Sequence, residues 1–140
     1  LARMSGADLT KYSVAQYNDV KAGAWYNAAV AWAAAVEVAG GANGKFNPGQ
    51  NISREEMAAM LSRYAAKVAQ STLPQTNAAA SFSDESKISS FAKDAVVAMQ
   101  KAGIINGVGN NKFAPKSPAT RAEAAKMLTL LLKGITSGAK

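Results

Sequence analysis

The sequence predicts an all-α fold built from two tandem helix–loop–helix repeats. Three observations support this prediction. The hydrophobic content of 49% is rich in alanine, which favours helices that pack at close distance. Two segments of the 140-residue chain match each other at an offset that drifts only from 65 to 67 residues. Each segment also contains a strong signal for the start of a helix.

The two repeats share an ordered set of motifs. Each begins with an aromatic-x-Asp triplet, continues through a Lys-Phe-x-Pro segment and ends in a helix that opens with a Ser/Thr-Arg-x-Glu motif. In the first repeat these motifs are residues 17–19, 45–48 and 53–56. In the second repeat they are residues 82–84, 112–115 and 120–123.

The first helix of each repeat is predicted from apolar residues at helical spacing, over residues 24–39 and 89–104. Glycine commonly follows a helix C-terminus, so we expect these helices to end at Gly40-Gly41 and at Gly107. A loop follows in each repeat. Pro48 and Pro115 favour extended backbone there, before the second helix begins.

The second helices are predicted over residues 54–68 and 121–133. Ser53 with Glu56, and Thr120 with Glu123, have the spacing of a capping box. In this arrangement the hydroxyl accepts a hydrogen bond from the backbone three residues on, and the glutamate reaches back to the capping residue. These four residues should hold both helix starts rigid.

The predicted boundaries follow from the motifs. The first repeat spans residues 17–68, a linker rich in Ser, Thr, Asn, Ala and Pro spans 69–81, and the second repeat spans 82–133. Residues 1–6 resemble residues 61–66, so residues 1–16 are interpreted as the tail of a preceding repeat and a connector. Residues 134–140 are expected to form a C-terminal tail.

Composition limits the possible functions. The chain has 16 basic and 9 acidic residues, and its net charge of +7 attracts polyanions. It contains neither cysteine nor histidine, which excludes thiolate nucleophiles, imidazole bases, disulfides and nearly every zinc site. No metal site and no cofactor are expected. The longest apolar stretch, residues 28–35, is too short to cross a bilayer, so no membrane insertion is expected.

An arginine opens each second helix, although a positive charge there opposes the helix dipole at a cost of about 0.3–1 kcal/mol. The free N–H groups of a helix start bind anions, and a guanidinium adds a bidentate fork. Arg54 and Arg121 are therefore candidate anion receptors. The alternative is structural, with the arginine stem packed on a neighbouring loop or the charge paired with Asp19 or Asp84.

Several other candidate ligand-binding residues also have a structural interpretation. Trp25, Tyr26 and Phe91 stand at helix starts, where an aromatic residue is more often part of the core than a platform for a sugar. Asp19 and Asp84 are candidate ligand-binding residues, although their simplest role is to cap the first helix or its preceding turn. The inner stripe of the second helices should be core, and it comprises Met57, Met60, Met127 and Leu128.

Taken together, these motifs resemble the S-layer homology family. Its repeats run from an aromatic-x-Asp-Val start through a helix to a Gly-x-Phe-x-Pro loop and an Ile-Thr-Arg-Ala-Glu helix start. The last motif is present here as Ile-Ser-Arg-Glu-Glu at residues 52–56 and as Ala-Thr-Arg-Ala-Glu at residues 119–123. The resemblance covers nearly the whole chain.

The resemblance implies a secreted anchor of the bacterial cell surface. Such an anchor binds a secondary cell-wall polysaccharide non-covalently, often through pyruvylated sugar, and a peptidoglycan-linked glycan is a further possible partner. Three repeats of the family commonly form a three-pronged pseudo-trimer. The family's ligand-binding residues correspond to Arg54, Arg121, Trp25 and Phe91, and its loop glycine corresponds to Gly44. In the second repeat Asn111 takes the place of that glycine.

Several alternatives remain from the sequence alone. The repeats could be a structural module that joins S-layer subunits without binding glycan. An enzyme using Asp19 and Glu56 as paired carboxylates is a weaker possibility, because both residues have expected capping roles. Nucleic-acid binding lacks a reader motif and is not expected. Because the preceding repeat is incomplete, the chain could also form a homodimer or swap elements to complete a three-fold bundle.

Overall fold

A computed structural model describes residues 1–13 and 16–138 of the chain. This part contains four α-helices, and none of its residues belongs to a strand of a sheet, which confirms the all-α prediction. The helices are α1 (Asn27–Ala35), α2 (Arg54–Arg63), α3 (Lys93–Lys101) and α4 (Arg121–Gly138). The three-pronged arrangement stays a prediction.

The chain divides into two compact units, Leu1–Gln50 and Asn51–Lys140. This division falls inside the first sequence repeat, residues 17–68. The loop of that repeat belongs to the first unit, whereas its second helix belongs to the second unit and packs there against α3. The repeat in the sequence is therefore not the compact unit in space.

In the first unit, α1 packs against a short 3-10 helix, Leu9–Lys11, whose N-terminus is capped by the Asp8 carboxylate. A small core forms around α1, because the buried residues Val20, Val30 and Ala31 contact four half-buried aromatic residues. These are Tyr12, Tyr17, Tyr26 and Phe46. Residues 14 and 15 of the predicted connector lie outside the described residues.

The first helices are shorter than expected, and the prediction that they end at Gly40-Gly41 and Gly107 is wrong. Each ends earlier, in a Schellman motif centred on a left-handed residue, Glu37 (φ 56°) or Gly103 (φ 69°). In the first motif the Val38 N–H donates to the Ala33 carbonyl at 2.9 Å, and in the second Ile104 donates to Met99 at 2.9 Å. A 3-10 helix, Ser90–Ala92, precedes α3.

The second helices begin where the capping boxes predict. The Ser53 side chain accepts from the Glu56 N–H, and the Glu56 carboxylate accepts from the Ser53 N–H at 2.7 Å. Thr120 and Glu123 form the same pair of bonds. α2 continues as a π-helical turn, Tyr64–Val68, which matches the predicted end at residue 68. α4 is helical to Gly138, so described residues of the expected C-terminal tail extend this helix, and residues 139 and 140 lie outside the described part.

The predicted linker, residues 69–81, is ordered within the second unit. Its Asn77 N–H donates to the Lys101 carbonyl at 2.9 Å, at the end of α3. The Gln100 amide forms two bonds with the backbone of Ala80, donating to its carbonyl at 2.7 Å and accepting from its N–H at 3.2 Å. The linker is therefore held against α3 by hydrogen bonds.

The core of the second unit lies between α2, α3 and α4, and its most completely buried side chains include Met99, Phe113 and Leu131. The prediction for the inner stripe of the second helices is only partly correct. Met127 is buried, whereas Met57, Met60 and Leu128 are half-buried.

Candidate functional site

The aromatic-x-Asp motif binds the loop of its own repeat. In the first repeat, the Asp19 carboxylate accepts hydrogen bonds from the backbone N–H groups of Phe46 at 2.8 Å and Asn47 at 2.7 Å. The Tyr17 ring lies 5.4 Å from the Phe46 ring, and its hydroxyl accepts from the Gly41 N–H at 3.0 Å. This motif therefore holds residues 41–47 in place.

The second repeat uses the same contacts. The buried Asp84 carboxylate accepts from the N–H groups of Phe113 at 2.8 Å and Ala114 at 2.9 Å, and the Phe82 ring lies 5.5 Å from the Phe113 ring. The expectation that Asp19 and Asp84 cap the first helix or its preceding turn is wrong. Their carboxylates bind adjacent N–H groups in the loop instead.

Hydrogen bonding explains the acidity of both aspartates. The N–H of Phe46 lowers the pKa of Asp19, against a smaller opposing effect of desolvation. For Asp84 desolvation is the largest single effect and raises the pKa. Backbone hydrogen bonds, chiefly from Phe113 and Ala114, and the charge of Lys87 together outweigh it, so the pKa is lowered. Both carboxylates are therefore ionised at neutral pH.

Gly41 and Gly107 occupy matching positions where backbone and ring leave no room for a side chain. A Cβ atom on Gly41 would lie 1.9 Å from the Lys45 carbonyl oxygen, and one on Gly107 would lie 2.6 Å from that of Lys112.

The loop glycine expected to line a groove, Gly44, has φ 73°, and its carbonyl accepts a hydrogen bond from the Asn18 N–H. Asn111 adopts φ 54° at the same position, because asparagine tolerates this conformation.

Arg54 is buried, with 6% of its surface exposed, and its guanidinium is bound to residues of the second repeat. Nε donates to the Phe113 carbonyl at 2.8 Å, and Nη1 donates to the Glu123 carboxylate in an ion pair. The charged group also lies over the Phe113 ring, 5.2 Å from its centroid. The structural alternative predicted a partner in Asp19 or Asp84, but the acidic partner is Glu123.

The backbone N–H groups at the start of α2 are also occupied. The Arg54 N–H donates to the Ser117 carbonyl at 3.0 Å, and the Glu55 N–H donates to the Pro115 carbonyl at 3.1 Å. The next N–H, that of Glu56, is bound by the capping residue Ser53. In this structure the α2 start therefore has no free N–H groups for an anion, and carbonyls of the second repeat take that place.

Glu55 adds a second polar contact at the same helix start. It is 3% exposed, and its carboxylate accepts from the N–H and the hydroxyl of Ser89, both at 2.9 Å, and from the Lys116 ammonium. Burial of this carboxylate raises its pKa, but the hydrogen bonds from Lys116 and Ser89 outweigh the burial and lower it. Glu55 is therefore a buried, ionised residue whose partners belong to the second repeat.

Arg121 differs from Arg54 although it has the matching sequence position. Arg121 is exposed. Within residues 1–13 and 16–138, neither its guanidinium nor its backbone N–H forms a hydrogen bond. The same holds for the N–H of Ala122. The start of α4 therefore presents a free guanidinium beside two free N–H groups.

The aromatic residues at the first helices are exposed, so a core role for Trp25 and Phe91 is wrong. Trp25 is 91% exposed and Phe91 is 52% exposed. Trp25 meets Tyr26 edge to face, with ring centroids 5.4 Å apart, while Tyr26 is half-buried and contacts the core of the first unit. Tyr26 therefore lies beside an indole that is almost fully accessible to solvent.

A pocket of about 210 Å³ lies between residues 79–82 and α3. Its lining includes Phe82, Ile88, Lys93 and Val96, but none of the candidate ligand-binding residues. Among the described residues no cluster of acidic side chains could hold a metal ion, and no helix is both long enough and apolar enough to cross a membrane.

Four residues of the contact around Arg54 were not predicted from the sequence. They are Glu55, Ser89, Lys116 and Phe113. One signal was available. Glu55 is matched by Ala122 in the second repeat, and Lys116 is matched by Gly49 in the first. A charge present in only one of two otherwise similar repeats marks a contact that the two do not share.

Comparison with known proteins identifies related sequences. The family model described as "S-layer homology domain" matches residues 16–58 and 81–125. The chain is 39% identical over 118 residues to an amylopullulanase of Thermoanaerobacterium thermosulfurigenes and 40% identical over 118 residues to exoglucanase XynX of Acetivibrio thermocellus. Each match covers 84% of this chain, but only 6% and 11% of those proteins. A surface-layer 125 kDa protein of Lysinibacillus sphaericus is 36% identical over 91 residues, which are 65% of this chain and 7% of that protein.

Proposed function

Because the chain belongs to the S-layer homology family, we propose that it anchors a larger protein to the bacterial cell wall by binding an anionic secondary cell-wall polysaccharide. Pyruvylated sugar is the proposed source of the carboxylates. Members of this family are non-catalytic anchoring modules located at the cell surface, in the wall or S-layer.

The relatives support a role that is separate from catalysis. The chain matches segments of an amylopullulanase, an exoglucanase and a surface-layer protein, whose names indicate different functions. A segment common to all three is better suited to a shared location than to a shared substrate. Any catalytic activity of the parent protein would lie outside the matched segment.

The exposure of Trp25 is the observation that carries the polysaccharide proposal. Tryptophan is usually well buried, and leaving it 91% exposed forgoes the free energy that burial would contribute. The C–H face of a sugar ring can stack on an accessible indole, and Tyr26 limits the orientations that this indole can take. Trp25 is therefore the proposed stacking platform.

Charge supports an anionic ligand. Within residues 1–13 and 16–138, six of the nine acidic residues accept a hydrogen bond from a backbone N–H. They are Asp8, Asp19, Glu55, Glu56, Asp84 and Glu123. Most lysines in this part are exposed, so the charges directed to solvent are mainly positive.

The two arginines have different proposed roles. Arg121 is the accessible one and can present a bidentate fork to a ligand carboxylate. Arg54 mainly holds the loop around Phe113. Its Nη2 makes only a 3.5 Å contact with the Asn106 carbonyl, so this nitrogen is the one with donor capacity left for a ligand.

Calorimetric titration with purified wall polysaccharide tests the proposal. We expect Trp25→Ala to weaken binding at least about tenfold, as aromatic contact residues commonly do, and Trp25→Phe to retain part of it. Arg121→Ala should also weaken binding, whereas Lys87→Ala, which removes one exposed charge elsewhere, should have little effect. Polysaccharide stripped of its pyruvyl groups should bind poorly to the unmodified chain.

Two results would contradict the proposal. Equal binding by the unmodified chain, Trp25→Ala and Arg121→Ala would exclude these residues as contacts. Equal loss of affinity in Lys87→Ala and Arg121→Ala would indicate general attraction to charge rather than a directed contact. Circular dichroism of each variant shows whether its helical content is retained.

A further inference from the structure

The pocket beside α3 has an apolar inner surface. It lies between residues 79–82 and the start of α3, and every residue of its lining belongs to the second compact unit. Ile88 and Val96 are buried and line the pocket together with the half-buried Phe82. The pocket therefore offers an aliphatic or aromatic surface to whatever enters it.

Two residues of opposite charge, Glu85 and Lys93, also line this pocket. Both are exposed, and within residues 1–13 and 16–138 neither side chain forms an ion pair or a hydrogen bond. The Ser81 hydroxyl, which belongs to the same lining, likewise has no hydrogen bond in the described part of the chain. A ligand can therefore bind these three groups without displacing an existing partner.

The first repeat has neither charge. The counterparts of Glu85 and Lys93 are Val20 and Asn27, at offsets of 65 and 66 residues. Val20 belongs to the core of the first unit, and Asn27 is buried there. The acid and the base are therefore not needed to form the helix–loop–helix repeat, and they occur together in the repeat that has the pocket.

Hydrogen bonds hold the wall of the pocket that residues 79–82 form. The Gln100 amide of α3 binds both the carbonyl and the N–H of Ala80, at 2.7 and 3.2 Å. The next carbonyl, that of Ser81, accepts from the Asn111 amide at 3.0 Å. The pocket is thus formed before a ligand binds, which lowers the cost of ordering on binding.

Size and charge limit the class of ligand. The volume of about 210 Å³ is below the range of about 300–1,000 Å³ that is typical of sites for drug-sized molecules. An anion would be attracted by Lys93 and repelled by Glu85, and a cation would experience the reverse. A small zwitterion with an aliphatic group matches both charges and the apolar surface.

We propose that this pocket binds a free α-amino acid with a branched aliphatic side chain. The carboxylate of the ligand accepts from the Lys93 ammonium, and its own ammonium donates to the Glu85 carboxylate. Its side chain lies against Ile88 and Val96, and the Ser81 hydroxyl is a further donor to the carboxylate. None of the proposed polysaccharide contacts lines the pocket, so this binding is independent of them.

Nuclear magnetic resonance of the complete, isotope-labelled chain tests the proposal with L-leucine up to about 50 mM. We expect saturable shifts of amide signals within residues 79–97, with a dissociation constant of about 0.1–10 mM for a ligand of about nine non-hydrogen atoms. Glycine, which lacks the side chain, should bind more weakly. The absence of saturable shifts in this segment would overturn the proposal.

Two blocked forms of leucine separate the two charges. N-acetyl-L-leucine retains only the carboxylate and L-leucinamide retains only the ammonium, so both should bind more weakly than L-leucine. Equal affinities for all three would contradict the assigned contacts, because neither Glu85 nor Lys93 would then distinguish the charged groups of the ligand.

Substitutions assign each contact. Glu85→Gln and Lys93→Gln should each weaken binding of L-leucine by about three- to tenfold. Lys93→Gln should not weaken binding of L-leucinamide, and Glu85→Gln should not weaken binding of N-acetyl-L-leucine, because each blocked ligand lacks the group concerned. Lys126→Gln, which removes an exposed charge of α4 outside the pocket, is the matched control and should bind L-leucine unchanged.

The outcome of this test does not depend on the polysaccharide, since none is present. Equal weakening by Lys126→Gln and Lys93→Gln would overturn the proposed site, because a distant charge would then matter as much as a lining one. Circular dichroism shows whether each variant keeps its helical content. All three substituted residues are exposed, so the fold is expected to be retained.

Discussion

Gly40 and Gly41 are neighbours with different steric environments. A Cβ atom on Gly40 would meet nothing within 4 Å, whereas one on Gly41 would lie 1.9 Å from the Lys45 carbonyl oxygen and 2.7 Å from the Tyr17 ring. The Gly41 contact involves backbone, which cannot move without opening the loop that Asp19 binds. Glycine at residue 41 is thus required by space.

We therefore expect Gly41→Ala to lower the free energy of unfolding by about 3 kcal/mol or more, at the upper end of overpacking effects. Gly40→Ala should change it by less than about 0.5 kcal/mol, as for an ordinary surface substitution. Urea-induced unfolding followed by circular dichroism measures both. Similar midpoints for the two variants would show that the loop adapts to the added methyl group.

Ala114 has a backbone conformation that suits its counterpart Asn47 better. Its φ is 55°, in the left-handed region, which costs a residue with a Cβ about 1–2 kcal/mol and asparagine less. Ala114→Asn should therefore raise the free energy of unfolding by about 0.5–1 kcal/mol. Asn47→Ala is the reciprocal change and should lower stability. A rise in the thermal midpoint of the first and a fall in the second are the expected results.

Residue types predicted the capping boxes correctly, because a capping box depends on side chains three residues apart in one helix turn. They did not predict the partners of Asp19 and Asp84. Those partners lie 27 to 30 residues away in the sequence, and only the folded loop brings their N–H groups to the carboxylate.

The N-terminus of α2 makes both hydrogen bonds and ion pairs with the second repeat. Its first two N–H groups donate to loop carbonyls, and both of its first charged side chains have partners in the second repeat. These contacts satisfy groups that would otherwise lack an intrahelical partner. Docking of α2 thus depends on polar contacts as well as on packing.

A double-mutant cycle measures the Glu55–Lys116 contact. Lys116→Gly leaves Glu55 with its two Ser89 hydrogen bonds, and Glu55→Ala removes an acceptor from Ser89, so each should cost about 1–3 kcal/mol. The double variant recreates the Ala–Gly pair of the other repeat and should cost less than the sum, with a coupling of about 1 kcal/mol. The expected coupling free energy is small because the Lys116 side chain is exposed and water screens its charge. Additive costs would contradict coupling.

The helix ends illustrate the limit of sequence patterns at this scale. The glycines at residues 40–41 and 107 predicted helix ends that lie beyond the observed ones. The first helix ends before Glu37, which adopts the same left-handed conformation as Gly103 after the end of α3. Side-chain identity gives no sign of this, although the buried residue that follows, Val38 or Ile104, provides the hydrophobic contact common in such motifs.

Across the whole molecule, the acidic residues mainly stabilise structure. Hydrogen bonds lower the pKa values of Asp19, Asp84 and Glu123, the last chiefly through the Thr120 N–H. A carboxyl whose pKa is lower in the folded state stabilises the fold at neutral pH, and this contribution is lost as the pH falls through the folded-state value.

Stability should therefore be nearly constant between about pH 6 and pH 8 and fall steadily below about pH 4 to 5, where carboxyls of the unfolded chain begin to bind protons. Asp84→Asn should lower stability at pH 7 and flatten the loss in acid. Asp94→Asn, which alters an exposed acid on α3, is the matched control. Urea midpoints between about pH 2 and pH 8 give the comparison, and parallel curves for the unmodified chain and Asp84→Asn would contradict this assignment.

The internal repeat predicted the family, the helical class and the location of the second helices. It did not predict that the chain divides at residue 50, because a sequence repeat records similarity and gives no information about which copies share a core. The burial of Arg54 and the exposure of Arg121 have the same origin. Similar motifs thus acquire different environments, since the start of α2 packs on residues 113–117 whereas Arg121 is exposed.

The two tryptophans lie in opposite environments, since Trp25 is 91% exposed and Trp32 is 2% exposed. Indole emission shifts to longer wavelengths in water, and a soluble quencher reaches only an accessible ring. The native fluorescence spectrum should therefore contain one component that iodide quenches and one that it does not. Trp25→Phe would leave the shielded component, whose shift on denaturation reports unfolding, while the quenchable component reports whether a bound ligand covers residue 25.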